Sequence, residues 1–513
     1  MVTSVFDTTC GRVRGRAPER GVVAVLGIPY AEPPFGSNRF RAPRPRRPWA
    51  GIRDCAGFGP VAPQSAELPG APSWSPGDED VLSLNVWTPV AAGGIPAGPL
   101  PVLVWIHGGA YTFGSGAQPD FDGTALALAG LVMVTFNYRL GFEGFGHVPA
   151  GGEDGPCPPN RGLLDQIAAL KWVRENIAAF GGDPGNVTLA GQSAGATSAA
   201  CLMTMDGARG LFGRAITHSP VGPCYSPELA GHLMEKVAAE AAVPATRAGL
   251  AAASPHALVR ASDAVVDGYR HSPESGHLHW DPVIYGPVAD GVQLRADPLA
   301  ALAGGAAAEI DLLVCHATQE YWLLDAVSSA AKVTTEEQLA RFAGDFELPG
   351  SLPEGYRTLM PDAPVGDVHL ALYGDLAYGE YSSRLAETHA RSGGRTFLSR
   401  FDRQRGEPHS VAYAWHCADV PFAFGNLAEE SVRFLIGGAP TASDHHLSDR
   451  MTAAWAGFAA TGEPGWEPLA VSGGPVRTWE TTDTTRAPAP GHWSDSGAVR
   501  ALWRSFRYQP LRP

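Results

Sequence analysis

Lysine is nearly absent from this chain: Lys171, Lys236 and Lys332 are the three in 513 residues. Acidic residues outnumber basic ones 52 to 38, a net charge of −14, which argues against nucleic acid or an anionic membrane as a partner. Long hydrophobic runs are missing too. No stretch reaches the ~20 apolar residues that cross a bilayer, and Met1-Val-Thr-Ser-Val-Phe-Asp-Thr-Thr-Cys10 lacks the basic start and apolar run of a secretory signal. The seven cysteines (10, 55, 157, 201, 224, 315, 417) are odd in number and scattered. That pattern speaks for reduced thiols in the cytoplasm, against a disulfide framework and against a cysteine metal site. Asn186-Val-Thr188 matches a glycosylation sequon without a secretory context, and His277-Leu-His279 and Asp444-His-His446 lack a familiar zinc spacing. A P-loop is missing as well, and Gly114-Ser-Gly116 is not a dinucleotide fingerprint. We therefore expect no metal and no organic cofactor.

What the chain does have is 44% hydrophobic against 18% charged residues, enough for a large globular core. Val22-Val-Ala-Val-Leu-Gly-Ile28 reads as a short antiparallel strand, whereas Gly27 to Gly36 is too rich in proline for a central one. Pro60 to Gly77 reads as a loop and Asp80 to Trp87 as a strand. Val102-Leu-Val-Trp-Ile106 and Leu131-Val-Met-Val-Thr-Phe136 are continuous apolar runs, as in strands buried on both faces of a parallel sheet. Between Arg161 and Phe180, Leu163, Ile167, Leu170, Val173, Ile177 and Phe180 share one helical face; Gly181-Gly182 ends it and Asp183-Pro184 turns the chain into the next strand. Further strands are expected at Ala215–Thr217, Asp311–Cys315 and Arg395–Phe401, the last taken as the final central strand. A helix is expected over about 443–460, capped by Ser443 or Asp444 and stopped by Gly462. Strand–helix alternation of this kind predicts an α/β fold, here a single domain over 1–513 with helical insertions near 226–308 and 325–390.

Gly191-Gln-Ser-Ala-Gly195 fits G-x-S-x-G, in which small residues let a strand reverse into a helix and leave a serine hydroxyl exposed. A serine needs a base, a carboxylate to orient that base, and donors for the oxyanion. For the donors, His107-Gly-Gly-Ala110 follows a buried strand, and Ala194 follows the serine. From pattern alone several of the 16 histidines stay open as the base, the late pair His409 and His416 on even terms, and the acid is Glu320 or Asp325.

Taken together, several segments resemble the type-B carboxylesterases, the family that includes bacterial p-nitrobenzyl esterases and the cholinesterases. The similarity is carried by Gly27-Ile-Pro-Tyr-Ala31, Glu79-Asp80-Val-Leu-Ser-Leu-Asn-Val86, Trp105-Ile-His-Gly-Gly-Ala110, Asn137-Tyr-Arg-Leu-Gly141, Asn160-Arg-Gly-Leu-Leu-Asp-Gln166 and Phe180-Gly-Gly-Asp-Pro184, in the family's order. It implies an α/β-hydrolase fold, a mostly parallel sheet flanked by helices. It also implies hydrolysis of a small-molecule carboxylic ester through an acyl-enzyme, with Ser193, Glu320 and His416 as the triad. Gln319-Glu-Tyr321 stands where the family has its acid, and His416-Cys-Ala-Asp-Val-Pro-Phe-Ala-Phe-Gly425 fits the pattern that opens on its histidine. By the same resemblance Gly109, Ala110 and Ala194 supply the oxyanion N–H groups and Ser219 supports the triad. Tyr111, Phe142, Trp322, Leu323 and Phe422 are candidates for an apolar pocket, with core packing the equal alternative. Amide or carbamate hydrolysis by the same triad, or a non-catalytic binding protein on the same fold, are the rival readings. Four departures stand out. Gln192 replaces the usual glutamate, making the site less attractive to cations; Tyr321 and Pro220 replace glycines; Val81 replaces a cysteine that forms a disulfide in secreted relatives.

Overall fold

The computed structural model describes residues 4–16, 19, 21–66, 73–90, 98–149, 157–405, 413–470, 476–481 and 497–513. Twelve strands occur among them: β1 (Val5–Thr8), β2 (Gly11–Arg14), β3 (Val22–Pro29), β4 (Ile52–Asp54), β5 (Ser83–Pro89), β6 (Leu100–Ile106), β7 (Val132–Phe136), β8 (Gly182–Gln192), β9 (Arg214–His218), β10 (Asp311–Ala317), β11 (Thr396–Phe401) and β12 (Arg477–Trp479). β1, β2 and β4 make a small separate sheet. The other nine form the central sheet in the order β12-β11-β10-β9-β8-β6-β7-β5-β3. From β7 to β12 every pairing is parallel; β5 and β3 close the far edge antiparallel.

Successive side chains on a strand face opposite ways, and the apolar runs supply both layers. Val102, Val104 and Ile106 join one buried cluster with Val134 and Leu189, while Leu103 and Trp105 join the other with Met133 and Ala190. The helix Arg161–Asn176 buries Leu163, Ile167, Leu170 and Val173 on the expected face, a 3-10 turn carries Ile177 and Phe180 inward, and Gly181 ends the run at φ 82°. Strands pair in a register that brings Ile106, Gly191 and Phe136 level at their C-terminal ends, where ligands gather on open α/β sheets.

Four boundaries differ from the sequence reading. β3 runs on through Gly27 to Pro29, tolerated because it is an edge strand with a register shift between Val25 and Ile28. β8 begins at Gly182 and carries Asp183-Pro184 within it, past an irregularity opposite Leu100–Val102. β11 is not the last strand, since β12 pairs outside it. The helix Ala442–Thr461 is capped by Thr441, whose hydroxyl accepts the Asp444 N–H while the Asp444 carboxylate accepts from the Thr441 N–H; Gly462 ends it as expected.

Candidate active site

The turn at the end of β8 is strained. Ser193 sits at φ 55°, ψ −124°, a conformation that costs a side-chain-bearing residue about 1–3 kcal/mol. Helix Ala194–Thr204 begins at the next residue. A Cβ on Gly195 would run into the Ile106 carbonyl oxygen, and one on Gly191 into that of Gly195. Strand and helix therefore approach this closely only with glycine at both places, and the Ser193 N–H ties the turn to the His218 carbonyl at 2.8 Å.

Glu320 lies in the loop after β10 and His416 in the loop after β11. His416 Nδ1 is 2.7 Å from Glu320 Oε2, and the His416 N–H donates to the Glu320 carbonyl at 3.1 Å. The other carboxylate oxygen accepts from Ser219 Oγ and from the Ala317 N–H, both at 2.6 Å. Glu320 is thus fixed from three sides, and Ser219 supports it although Pro220 follows. Tyr321 has φ −77°, so this loop needs no glycine there. Asp325 instead pairs with Lys332 at the surface. His409 lies outside the described residues.

A carboxylate can only accept, so Nδ1 carries the hydrogen and neutral His416 offers a lone pair at Nε2. Burial opposes charging this ring, but the Cys417 sulfur and the Glu320 carboxylate outweigh it and hold its pKa well above the ordinary histidine value. The Tyr378 ring packs against the imidazole, centroids 4.4 Å apart. Gln192 Nε2 lies 2.9 Å from His416 Nε2 and 3.0 Å from Cys417 Sγ.

Gly109 and Ala110 both have positive φ, 110° and 49°, in the turn that faces the serine elbow. Ala194 stands at the helix start on the other side of this approach. His107, behind this turn, is stacked on Tyr138, and burial lowers its pKa to about 4. Serine, Ala110 and Ala194 open onto a cavity of about 1030 Å³ that Tyr111, Asp281, Tyr373 and Tyr378 also line. Of the five expected pocket residues, this cavity takes Tyr111. Phe142 packs on Phe40, Phe422 on Phe401, and Trp322 beside Tyr413, while Leu323 lies half-buried against the same core. Their apolar surface goes into packing between elements.

The sequence reading missed a second buried histidine–carboxylate pair. His218 Nδ1 is 2.7 Å from Asp419 Oδ2, and Trp455 Nε1 donates to His218 Nε2 at 2.8 Å. This pair joins the end of β9 to the His416 loop and to the helix Ala442–Thr461. The acidic residue three places after His416 was its one visible signal. Tyr378 gave none, because it is presented by a π-turn, Asp375–Gly379, that interrupts a helical run. Asp444 is spent on Arg403, at 2.9 Å, and on the helix cap.

Residues 2–348 and 364–488 match the model of the carboxylesterase family. A para-nitrobenzyl esterase of Bacillus subtilis is 35% identical over 478 residues, 91% of this chain and 92% of that protein. A fumonisin B1 esterase of Sphingopyxis macrogoltabida is 36% identical over 90% of this chain and 82% of its own. Among solved structures, a carboxylesterase of Geobacillus stearothermophilus superposes with a TM-score of 0.83 at 34% identity, covering 98% of this chain and 100% of that one.

Proposed function

The chain belongs to the carboxylesterase family and is a carboxylic-ester hydrolase of the α/β-hydrolase fold, and from that premise we propose that Ser193, His416 and Glu320 are its catalytic triad. The observation that carries this is the 2.7 Å contact between His416 Nδ1 and Glu320 Oε2, with the same imidazole 2.9 Å from the Gln192 side chain next to Ser193, whose strained turn opens onto the cavity.

In this mechanism His416 Nε2 removes the Ser193 proton as the oxygen attacks the ester carbonyl. The N–H groups of Gly109, Ala110 and Ala194 hold the oxyanion, and Glu320, steadied by Ser219, orients and balances the imidazolium. His416 then protonates the leaving alcohol, and the same residue activates water to release the acid. The cavity suits a small-molecule ester. We also assign the chain as one domain with insertions near 226–308 and 325–390, and as a cytoplasmic enzyme; all seven cysteines are free, as a reducing compartment keeps them.

The test compares hydrolysis of p-nitrophenyl butyrate by the wild type and Ser193→Ala, with a covalent organophosphate located by mass spectrometry. Turnover lost in the variant, with the label on Ser193 in the wild type, is the expected outcome. Label on another residue, or full activity in the variant, would overturn the assignment.

A further inference from the structure

The nitrogen that must accept the Ser193 proton already has a partner. Gln192, the residue before the nucleophile, places its side-chain amide nitrogen 2.9 Å from His416 Nε2 and 3.0 Å from Cys417 Sγ. With Nδ1 facing Glu320 and carrying the hydrogen, Nε2 of the neutral ring is the acceptor, and the group turned toward it is the NH2 of the amide and not its oxygen. An NH2 has two hydrogens, and the structure offers two acceptors. The amide oxygen points the other way, against Gly108 in the oxyanion turn, where a Cβ would lie 2.5 Å from Gln192 Oε1. Gly108 thereby leaves room for the oxygen end of this side chain.

We propose that Gln192 is a latch on the base: in the resting enzyme with His416 unprotonated its amide occupies His416 Nε2, and each turnover begins by exchanging that hydrogen bond for one from Ser193 Oγ. Gln192 is a positioning residue, since it touches the base and not the ester. No covalent bond changes in the exchange; a donor to one lone pair is replaced by another, and the serine proton then moves as before. A glutamate here could not do this. Its carboxylate only accepts, so it would attract a protonated Nε2 and leave a neutral one free for the serine.

The latch has a signature distinct from scaffolding. An N–H donor binds only unprotonated Nε2, so it favours neutral His416 and competes with Ser193 for the same lone pair. The groups facing the ring are Glu320, Cys417 and Tyr378, all unchanged by substitution at 192.

This inference rests on the triad reading, so its test includes a readout independent of turnover. In the full-length wild type, Gln192→Met and Gln192→Glu, the Nδ1 proton shared with Glu320 is followed by NMR against pH, and kcat/KM for p-nitrophenyl butyrate is measured across the same range. In Gln192→Met the titration midpoint should rise by about half to one pH unit, and kcat/KM at high pH should rise about fivefold, the scale of one neutral hydrogen bond. Gln192→Glu should raise the midpoint further. An unmoved midpoint in Gln192→Met, or a lower one, overturns the latch; so does a moved midpoint with kcat/KM lowered at every pH, which would make the amide a support for the serine. Should the wild type show the Nδ1 titration without any turnover, the failure belongs to the triad reading instead.

Discussion

Ser219 shows how much of this site is made by single contacts to one carboxylate. Its hydroxyl donates to Glu320 Oε1 at 2.6 Å inside the protein, and a hydrogen bond to a charged group is worth about 1.5–3 kcal/mol. Ser219→Ala leaves the Ala317 N–H as the remaining donor to that oxygen. We expect kcat to fall by roughly tenfold or more with KM little changed, because the contact orients the acid and does not touch the ester. Steady-state kinetics on p-nitrophenyl butyrate check this. Cys417 acts on the base itself. As the proposed base His416 works only when unprotonated, so activity should climb with pH as the ring loses its proton, and a pKa held above the ordinary value sets that climb at higher pH. Removing the sulfur with Cys417→Ala takes away one raising contribution and moves the acid limb of kcat/KM to lower pH, opposite to the change expected for Gln192→Met. A limb that stays in place would show that the sulfur does not act on the imidazole. At this scale the contact between His416 and Glu320 was legible once the whole pattern after His416 was compared with a family. The Gln192 contact was not, because side-chain conformation at a turn decides it.

Elements deliver these residues, and the delivery depends on how closely one strand and one helix approach. Gly195 begins the turn of helix packed over the end of β6, where an added Cβ would overlap the Ile106 carbonyl oxygen. Backbone cannot yield there as a flexible side chain could. Gly195→Ala should therefore push the helix Ala194–Thr204 off the sheet, displace the Ala194 N–H from the proposed oxyanion site, and lower both melting temperature and kcat/KM; circular dichroism melting with the ester assay checks both. Retention of both values would mean that the helix can shift without cost. The glycines of the G-x-S-x-G motif were readable because sterics demands them at fixed offsets. The long apolar strands were readable for an equally local reason, since burial on both faces leaves nearly uninterrupted Val, Leu and Ile. What escaped was set at a distance. β12 is three residues long and exists only by pairing with β11, which ends at Phe401, far back in sequence. Thr441 outcompeted Ser443 and Asp444 as the cap because the chain's entry into the helix left its hydroxyl within reach of the Asp444 N–H.

Across the whole molecule, the central sheet and its helices are tied by charged groups that have left water altogether. Arg139, just after β7, lies with Asp165 of the helix Arg161–Asn176, their side chains 1% and 0% exposed. Arg139 Nε and Nη2 donate to the two carboxylate oxygens at 2.8 and 2.7 Å, its backbone N–H adds a third bond at 3.1 Å, and Nη1 reaches the Arg41 carbonyl at 2.7 Å. The desolvation of two buried ions roughly offsets their attraction, so the pair contributes little net stability, yet loss of one member strands the other. Asp165→Leu should accordingly cost about 3–5 kcal/mol and depress the melting temperature sharply. Arg139→Met/Asp165→Leu, which removes both charges, should recover most of that loss, and thermal unfolding of the two variants beside the wild type decides the matter. If the double variant recovers stability but loses ester turnover, the pair acts to hold the β7 loop and the helix in the one arrangement that shapes the site. If it recovers neither, the attraction exceeds the desolvation and the pair is a net source of stability.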